Sequence, residues 1–267
     1  MTTSEPFVLA QAAADHIAKA TGAASHDIAL VLGSGWSGAA DLIGEVTATL
    51  PADEVPGFSA PAVVGHVGTI RSVLLPNGKR ALVLGARTHY YEGKGVRSVV
   101  HGVRTAAAAG CSVVVLTNGC GGLNPSWRPG TPVLIRDHIN LTGVSPLEGA
   151  TFVDLTDLYS PRLRELAHGI DPSLDEGVYA QFPGPHYETP AEVQYAHRIG
   201  ADLIGMSTAL EAIAARHSRM EVFGISLVTN LAAGISPTAL SHEEVLAAGQ
   251  AAGPRISRLL ADVIAKI

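Results

Sequence analysis

The stretch TIRSVLLPNGKRALVL, residues 69–84, decides how the sheet of this chain is built. Two apolar runs, Thr69 to Leu75 and Arg80 to Leu84, flank the tetrapeptide Pro76-Asn77-Gly78-Lys79. Asn-Gly between two such runs is a strong hairpin signal, because both residues tolerate the positive φ angles of a tight turn. The stretch therefore predicts two antiparallel strands.

Outward from the hairpin, short apolar runs alternate with segments of helical periodicity. Further strands are predicted from Ile28 to Leu32, Val113 to Leu116, Pro132 to Ile135, Val178 to Phe182, Leu203 to Met206 and Val222 to Thr229. Helices are predicted from Phe7 to Ala20, Val96 to Ala109 and Ala209 to His217, and two more begin at the capping boxes Thr189-Pro190-Ala191-Glu192 and Ser241-His242-Glu243-Glu244. This pattern predicts an α/β fold, a single domain over residues 1–267 with a mixed central β-sheet flanked by helices.

The composition is that of a globular chain without a surface for polyanions. Of the 267 residues 47% are hydrophobic, and the formal net charge is −6 with no run of Lys or Arg. These values predict neither a nucleic-acid partner nor a membrane partner. The N-terminus has no basic segment followed by an apolar one, and no apolar run approaches the ~20 residues that span a bilayer. Since the two cysteines form no disulfide framework, we expect a cytoplasmic protein.

The motif Gly33-Ser34-Gly35-Trp36-Ser37-Gly38 matches G-x-G-x-x-G directly after a predicted strand. That pattern is typical of dinucleotide-binding units, which continue with a helix and a parallel strand ending in an acidic residue. Asp53 lies at about the right distance, but the stretch before it contains Pro51 and no apolar run, and a hairpin follows. We therefore favour a phosphate-binding turn, in which backbone N–H groups and the Ser34 hydroxyl converge on an anion.

Hydrogen-bonding side chains and Gly-rich turns follow five of the predicted strands. They are Ser34, the stretch Arg87 to Gly93, the stretch Asn118 to Gly122, Ser207 and Asn230. Open α/β sheets bind ligands beyond the carboxyl ends of their strands. We therefore expect these residues to share one pocket.

At these positions the sequence resembles the trimeric, 6-oxopurine-specific purine nucleoside phosphorylases. The matching pieces, in family order, are VLGSG at 31–35, GHVG at 65–68, RTHYYEG at 87–93, TNGCGGLN at 117–124, DHINL at 137–141, GPHYET at 184–189, GMST at 205–208, SLVTN at 226–230 and HEEVL at 242–246. Each piece is weak alone, but together they cover nearly the whole chain. The resemblance implies a nucleoside phosphorylase-like fold and a pentosyltransferase of purine salvage, which cleaves inosine, guanosine and their 2′-deoxy forms with inorganic phosphate.

The resemblance also implies a role for each matching residue. Phosphate would be held by Ser34, His66, Arg87, His89, the backbone N–H of Gly119, and Ser207. The purine would be met by Tyr187, Glu188 and Asn230, and the ribose by Tyr91, Met206 and His242. Phe152 looks like the family's aromatic residue that reaches into the sugar site of a neighbouring subunit, so a homotrimer is implied. Phosphate is a co-substrate, and the resemblance implies neither a cofactor nor a metal.

These residue types suit that chemistry. The planar guanidinium of Arg87 can bind phosphate through two hydrogen bonds, and hydroxyls and N–H groups complete the shell without cancelling its charge. Because the sugar passes through an oxocarbenium-like state, no protein nucleophile is needed. The purine gains negative charge as it leaves, and an amide N–H from Asn230 toward N7 stabilises that charge. Glu188, as a carboxylate, can only accept, which suits the N1–H of a 6-oxopurine.

Two departures and two alternative functions stay open. Gly119 and Cys120 stand where the family often has alanines, and the freedom of Gly119 is expected to loosen the phosphate loop. The sequence after Asn230 matches bacterial members better than mammalian ones. The nearest alternative is a methylthioadenosine phosphorylase, which tends to have Asp at the position of Asn230. The other is a non-catalytic nucleotide- or NAD-binding module built on the motif from Gly33 to Gly38.

Overall fold

The computed structural model describes residues 5–59, 68–85, 87–236 and 242–267, with residues 242 and 244 described for their backbone only. Within these ranges the strands are β1 Ile28–Val31, β2 Glu45–Pro51, β3 Thr69–Leu74, β4 Arg80–Leu84, β5 Val113–Gly122, β6 Pro132–Asn140, β7 Asp175–Gln181, β8 Leu203–Gly205 and β9 Glu221–Leu231. The α-helices are α1 Glu5–Thr21, α2 Gly95–Val99, α3 His101–Ala108, α4 Pro161–Ile170, α5 Pro190–Arg198, α6 Ala209–His217 and α7 His242–Ile264.

The strands form one mixed sheet in the order β2-β3-β4-β1-β5-β8-β7-β6-β9, with an additional pairing of β5 and β9. This extra pairing closes a circuit of five strands, β5, β8, β7, β6 and β9. The strand β1 runs parallel to β4 and β5, and β5 runs parallel to β9. The carboxyl ends of β1, β4, β5 and β9 therefore lie at the same edge of the sheet, so residues at these strand ends can share one pocket.

The predicted hairpin is present and sets the mixed character of the sheet. The strands β3 and β4 pair antiparallel, with Ile70 opposite Leu84 and Leu74 opposite Arg80, and Gly78 supplies a φ of 85° in the turn. The strand β2 pairs antiparallel with β3 at the end of the sheet. A short 3-10 helix, Ser37–Asp41, and then β2 follow the glycine motif. The first strand after the motif, β2, pairs with β3 and not with β1, so the motif does not open the helix and adjacent parallel strand of a dinucleotide-binding unit.

Helices cover both faces of the sheet. Side chains alternate along β1, so that Ala29 and Val31 pack in one buried cluster with α1, α3 and α6, while Ile28 and Leu30 pack in another with α4 and α7. Strands covered on both faces read as continuous apolar runs, which is why β1 and the first part of β5 were recognisable. The prediction of an α/β fold with a mixed central sheet flanked by helices is confirmed.

Two elements differ from their predicted bounds near the predicted pocket. The strand β5 was predicted to end at Leu116, with a turn from Asn118 to Gly122, but it continues to Gly122 because this segment pairs with β9. Gly119 therefore lies in a paired strand rather than in a loosened loop. The predicted helix from Val96 to Ala109 is divided at Val100 into α2 and α3. In the described ranges no helix is long and apolar enough to cross a membrane.

Candidate active site

A cavity of about 790 Å³, including the open space at its mouth, lies where β1, β4, β5 and β9 end. It is lined by Gly33, Ser34, Arg87, His89, Tyr91, Asn118, Gly119, Cys120, Gly121, Tyr187, Glu188, Ile204, Gly205, Met206, Ser207, Thr229, Asn230, Ala232 and Val245. Its lining combines polar side chains with apolar ones, so it can bind a small molecule through both kinds of contact.

Most of the residues predicted for the site line this cavity together. They are Ser34, Arg87, His89, Gly119 and Ser207 from the phosphate set, Tyr187, Glu188 and Asn230 from the purine set, and Tyr91 and Met206 from the ribose set. His66 lies outside the described residues, and the side chain of His242, at the start of α7, is not described either. Phe152 does not line the cavity and is 94% exposed.

The turn after β1 is fixed against β5. The Gly33 N–H donates to Thr117 Oγ1 at 2.9 Å, and the Trp36 indole N–H donates to the Asn118 carbonyl at 2.9 Å. A Cβ at Gly33 would lie 2.7 Å from the Thr117 carbonyl oxygen, so only glycine permits this approach. The turn therefore holds Ser34 beside Gly119.

Arg87 is a buried cation held on two sides. Its Nη1 donates to the Thr117 carbonyl at 2.6 Å and its Nε donates to Glu211 Oε1 at 3.1 Å. The side chains of Arg87 and Glu211 are only 2% and 3% exposed. This buried carboxylate, Glu211, was not assigned to the surroundings of Arg87 by the sequence analysis. The sequence Thr208-Ala209-Leu210-Glu211 has the capping-box spacing that signals such a carboxylate.

Ser207 reaches the cavity by a different route from the one predicted. The strand β8 pairs antiparallel with β5, so the rule about the carboxyl ends of parallel strands does not apply to it. Instead, Asn118 Nδ2 donates to Thr208 Oγ1 at 2.9 Å, and Ser207 Oγ lies 3.1 Å from the same oxygen. Hydrogen bonds between β5 and the turn after β8 thus hold Ser207 close to Asn118, the residue before Gly119.

Glu188 and Asn230, the two residues predicted to read the edge of the purine, are polar side chains in the cavity lining. Burial raises the pKa of Glu188, and the nearby Glu192 adds to this effect, while the Glu188 backbone N–H opposes it. Its Oε1 is buried without a hydrogen-bond partner in the described part of the chain. The Thr229 hydroxyl lies 2.9 Å from Asn230 Oδ1, and Asn230 Nδ2 donates to the Leu231 carbonyl at 3.0 Å. Among the described residues, this is the one bond that the Asn230 amide donates, so its second N–H can donate to a ligand.

His89, Tyr91 and Met206 supply further aromatic and thioether groups to the cavity lining. The rings of His89 and Tyr91 stack at 4.9 Å with an interplanar angle of 13°. Desolvation, together with the charge of Glu92, raises the pKa of Tyr91 to about 12, so its hydroxyl stays protonated and can donate. Gly184 has a φ of 68°, and a Cβ there would lie 2.5 Å from Met206 Sδ. Gly184 therefore leaves the space that Met206 occupies.

Several lining residues were not predicted, and most of them are apolar. Ile204, Ala232 and Val245 carry no polar group that a motif search could single out.

Cys120 also lines the cavity. Burial raises the pKa of Cys120 to about 12, so its thiol is neutral and is not a nucleophile. Within the described ranges no group of three or more His, Cys, Asp or Glu side chains is placed to hold a metal ion.

Comparison with known proteins shows the family to which the chain belongs. The sequence profile of the phosphorylase superfamily matches residues 27–265. The chain belongs to the phosphorylase superfamily. It is 71% identical to a purine nucleoside phosphorylase of Cellulomonas sp over 264 residues, which cover 97% of this chain and 94% of that protein.

Solved structures of the superfamily share the fold. The purine nucleoside phosphorylase of Schistosoma mansoni in complex with inosine aligns with a TM-score of 0.88 and 32% identity, covering 97% of this chain and 96% of that one. The structure of the Schistosoma enzyme in complex with adenosine gives the same TM-score, identity and coverage. The nucleoside phosphorylase-like fold is thus confirmed, and the chain is homologous to purine nucleoside phosphorylases over nearly its whole length.

In this phosphorylase-superfamily cavity the polar groups fall into two sets. Arg87, Ser34, Ser207 and the Gly119 backbone are donors, and they suit an anion with several oxygens. Glu188 is an acceptor and Asn230 can both donate and accept, so together they suit a ligand edge that carries both kinds of group. The arrangement can therefore hold an anion and a polar heterocycle at the same time.

Proposed function

We propose that this chain is a purine nucleoside phosphorylase, which uses inorganic phosphate to split a purine nucleoside into the free base and ribose 1-phosphate. The observation that carries the proposal is the joining of a cationic donor set around Arg87 and a Glu188–Asn230 pair in one cavity. The high identity to proteins of that name agrees with the predicted activity and supports a pentosyltransferase. The presence of Asn230 argues against a methylthioadenosine phosphorylase, and the donor set around Arg87 in the same cavity argues against a non-catalytic binding module.

The proposed reaction needs no nucleophile from the protein. Phosphate bound by Ser34, Arg87, His89, Ser207 and the Gly119 N–H attacks the anomeric carbon as the glycosidic bond breaks, and its charge stabilises the oxocarbenium-like sugar. The free N–H of Asn230 donates toward purine N7, where negative charge develops. His66 is proposed as a further phosphate ligand, Tyr187 packs on the base, and Tyr91, the Met206 backbone and His242 meet the ribose.

The proposed base preference is for 6-oxopurines. A 6-oxopurine presents N1–H, which the Glu188 carboxylate can accept, and O6 and N7, toward which Asn230 can donate. Adenosine places the N1 lone pair against Glu188, whose buried oxygen then lacks a partner. Sites built on such hydrogen bonds reject the wrong ligand by roughly 10⁴–10⁵.

The other predictions from the sequence belong to the same proposal. They are a single domain over residues 1–267, a homotrimer completed by Phe152 from a neighbouring subunit, a cytoplasmic location and a place in purine salvage. No cofactor, metal, nucleic acid or membrane partner is part of the proposal, and phosphate enters only as a co-substrate.

A panel of nucleosides tests the proposed specificity. With phosphate present, we expect fast cleavage of inosine and guanosine and very slow cleavage of adenosine and methylthioadenosine. Asn230→Asp should reduce the difference in cleavage rate between inosine and adenosine. It should do so mainly by slowing inosine cleavage, because Glu188 still opposes N1 of adenosine. Preferred cleavage of methylthioadenosine would favour the alternative phosphorylase, and nucleotide binding without cleavage would favour a binding module.

A further inference from the structure

Glu211 does not line the cavity, but it contacts Arg87, which does, and Thr208, whose neighbour Ser207 does. Its Oε1 accepts from Arg87 Nε at 3.1 Å, and its Oε2 accepts from the backbone N–H of Thr208 at 2.9 Å. Arg87 follows β4 and Thr208 follows β8, two strands that are not neighbours in the sheet. One buried carboxylate thus joins two separate walls of the cavity.

We propose that Glu211 is a positioning residue for inorganic phosphate, which holds the Arg87 guanidinium and the Ser207 hydroxyl in one geometry before phosphate binds. This inference rests on the phosphorolysis proposed above. On the Arg87 side, Glu211 holds Nε and the Thr117 carbonyl holds Nη1. The plane of the guanidinium is then fixed, and Nη2, which has no hydrogen-bond partner in the described part of the chain, is the nitrogen left for an anion.

On the Ser207 side, Glu211 holds a backbone conformation that would otherwise relax. Thr208 has φ 82° and ψ −52°, which β-branched residues rarely adopt. The Glu211 carboxylate holds its N–H, and Asn118 Nδ2 holds its Oγ1. Strained residues of this kind persist only when their surroundings determine them. Loss of the Glu211 contact would let the turn relax and would move the adjacent Ser207.

The two oxygens of a carboxylate are needed because both partners are donors. Glutamine at this position offers one acceptor oxygen, and its NH₂ group would oppose either Arg87 Nε or the Thr208 N–H. Positioning by Glu211 strengthens phosphate binding, but the negative charge of Glu211 weakens it, since a negative group near the site repels phosphate. The variant Glu211→Gln therefore distinguishes the two roles, because lost positioning weakens phosphate binding and lost repulsion strengthens it.

The experiment measures phosphate-dependent inosine cleavage by wild type, Glu211→Gln and the control Glu176→Gln. Glu176 also pairs with an arginine, Arg164, and with His168 at 3.0 Å, but it does not line the cavity. For Glu211→Gln we expect the KM for phosphate to rise about tenfold or more, the usual effect of losing a hydrogen bond to a charged group. The KM for inosine should change less than about threefold, and Glu176→Gln should change neither value.

Glu211→Asp, which keeps the charge but is too short to reach both donors, is the second variant and is used if Glu211→Gln does not fold. It should also raise the KM for phosphate. A phosphate KM that is unchanged or lowered in either folded variant overturns the positioning role, as does an equal rise in the KM for inosine. If wild type cleaves inosine without needing phosphate, the proposed function itself fails, so the two failures are distinguishable.

Discussion

At the scale of single residues, Arg87 carries the prediction about phosphate. In the described part of the cavity wall it is the one Arg or Lys side chain. Arg87→Ala should raise the KM for phosphate by roughly 10- to 100-fold, because hydrogen bonds to charged groups contribute about 1.5–3 kcal/mol. The KM for inosine should change far less. Steady-state kinetics with each substrate varied measures both values.

The control for this variant is Arg162→Ala, which removes an exposed arginine that pairs with Glu221 outside the cavity. Such exposed pairs contribute little, so the kinetics should match wild type. Unchanged phosphate saturation in Arg87→Ala would remove Arg87 from the site.

Glu188 carries a prediction about pH. Burial raises its pKa, and only the carboxylate form can accept from N1–H. As pH falls, Glu188 should therefore become protonated, and kcat/KM for inosine should decline, at a higher pH than for an ordinary Glu with a pKa of about 4.3. The effect on folding has the opposite sign. The folded chain favours protonated Glu188, so this contribution to the unfolding free energy is present at low pH and is lost as pH rises through the raised pKa.

The pH profile of kcat/KM for wild type, Glu188→Gln and Glu176→Gln checks this assignment. The acidic decline should be absent from Glu188→Gln and present in Glu176→Gln. An unchanged decline in Glu188→Gln would assign it to another group.

At the scale of elements, the turn after β1 depends on the absence of a side chain at Gly33. A Cβ there would lie 2.7 Å from the Thr117 carbonyl oxygen, 2.9 Å from Asn118 Cα and 2.9 Å from Arg87 Nη1. Gly33→Ala should therefore lower the unfolding free energy by about 1–3 kcal/mol and raise the KM for phosphate. Denaturant unfolding measures the first effect and kinetics the second.

Gly169→Ala is the matched control, because Gly169 lies in α4 with nothing within 4 Å of the added Cβ. It should leave the kinetics unchanged and stabilise the chain by up to about 1 kcal/mol, since alanine is the better helix former. Equal stability of the two variants would mean that the turn tolerates a side chain at Gly33.

The elements that sequence reasoning found are those with strong local signals. The Asn-Gly turn gave the hairpin, and the Thr189 capping box gave the start of α5. The strand β2 was missed because it lies at the end of the sheet, is largely exposed and contains Pro51. The second half of β5 was missed because its pairing with β9 overrides its Gly-rich composition. Pairing with a distant strand leaves no mark in a local sequence window.

The site could be assembled from the sequence only in part, for the same reason. Arg87 is a polar residue that follows β4, and Asn230 is a polar residue at the end of the apolar strand β9, so their place at the sheet edge could be predicted. Glu211 lies inside α6 and reaches Arg87 across 124 positions of sequence. Its capping-box spacing predicts the contact with Thr208 but not the contact with Arg87. The apolar walls carry no signal that separates them from core residues.

At the scale of the whole molecule, the prediction concerns assembly. Phe152 is 94% exposed between β6 and α4, outside the cavity of its own chain. If it completes the sugar site of a neighbour, the active species is a closed cyclic trimer. Sedimentation should give a trimer, and Phe152→Ala should raise the KM for inosine while leaving the KM for phosphate nearly unchanged. A fully active monomer would contradict this arrangement.

The central claim is that one cavity uses phosphate to break the bond between a purine and its sugar. The most direct measurement follows inosine with and without inorganic phosphate by phosphorus NMR and by release of hypoxanthine. We predict that hypoxanthine and ribose 1-phosphate appear in equal amounts when phosphate is present, and that neither appears without it. Hypoxanthine release at the same rate without phosphate, with ribose and no ribose 1-phosphate as product, would contradict the account and identify a hydrolase.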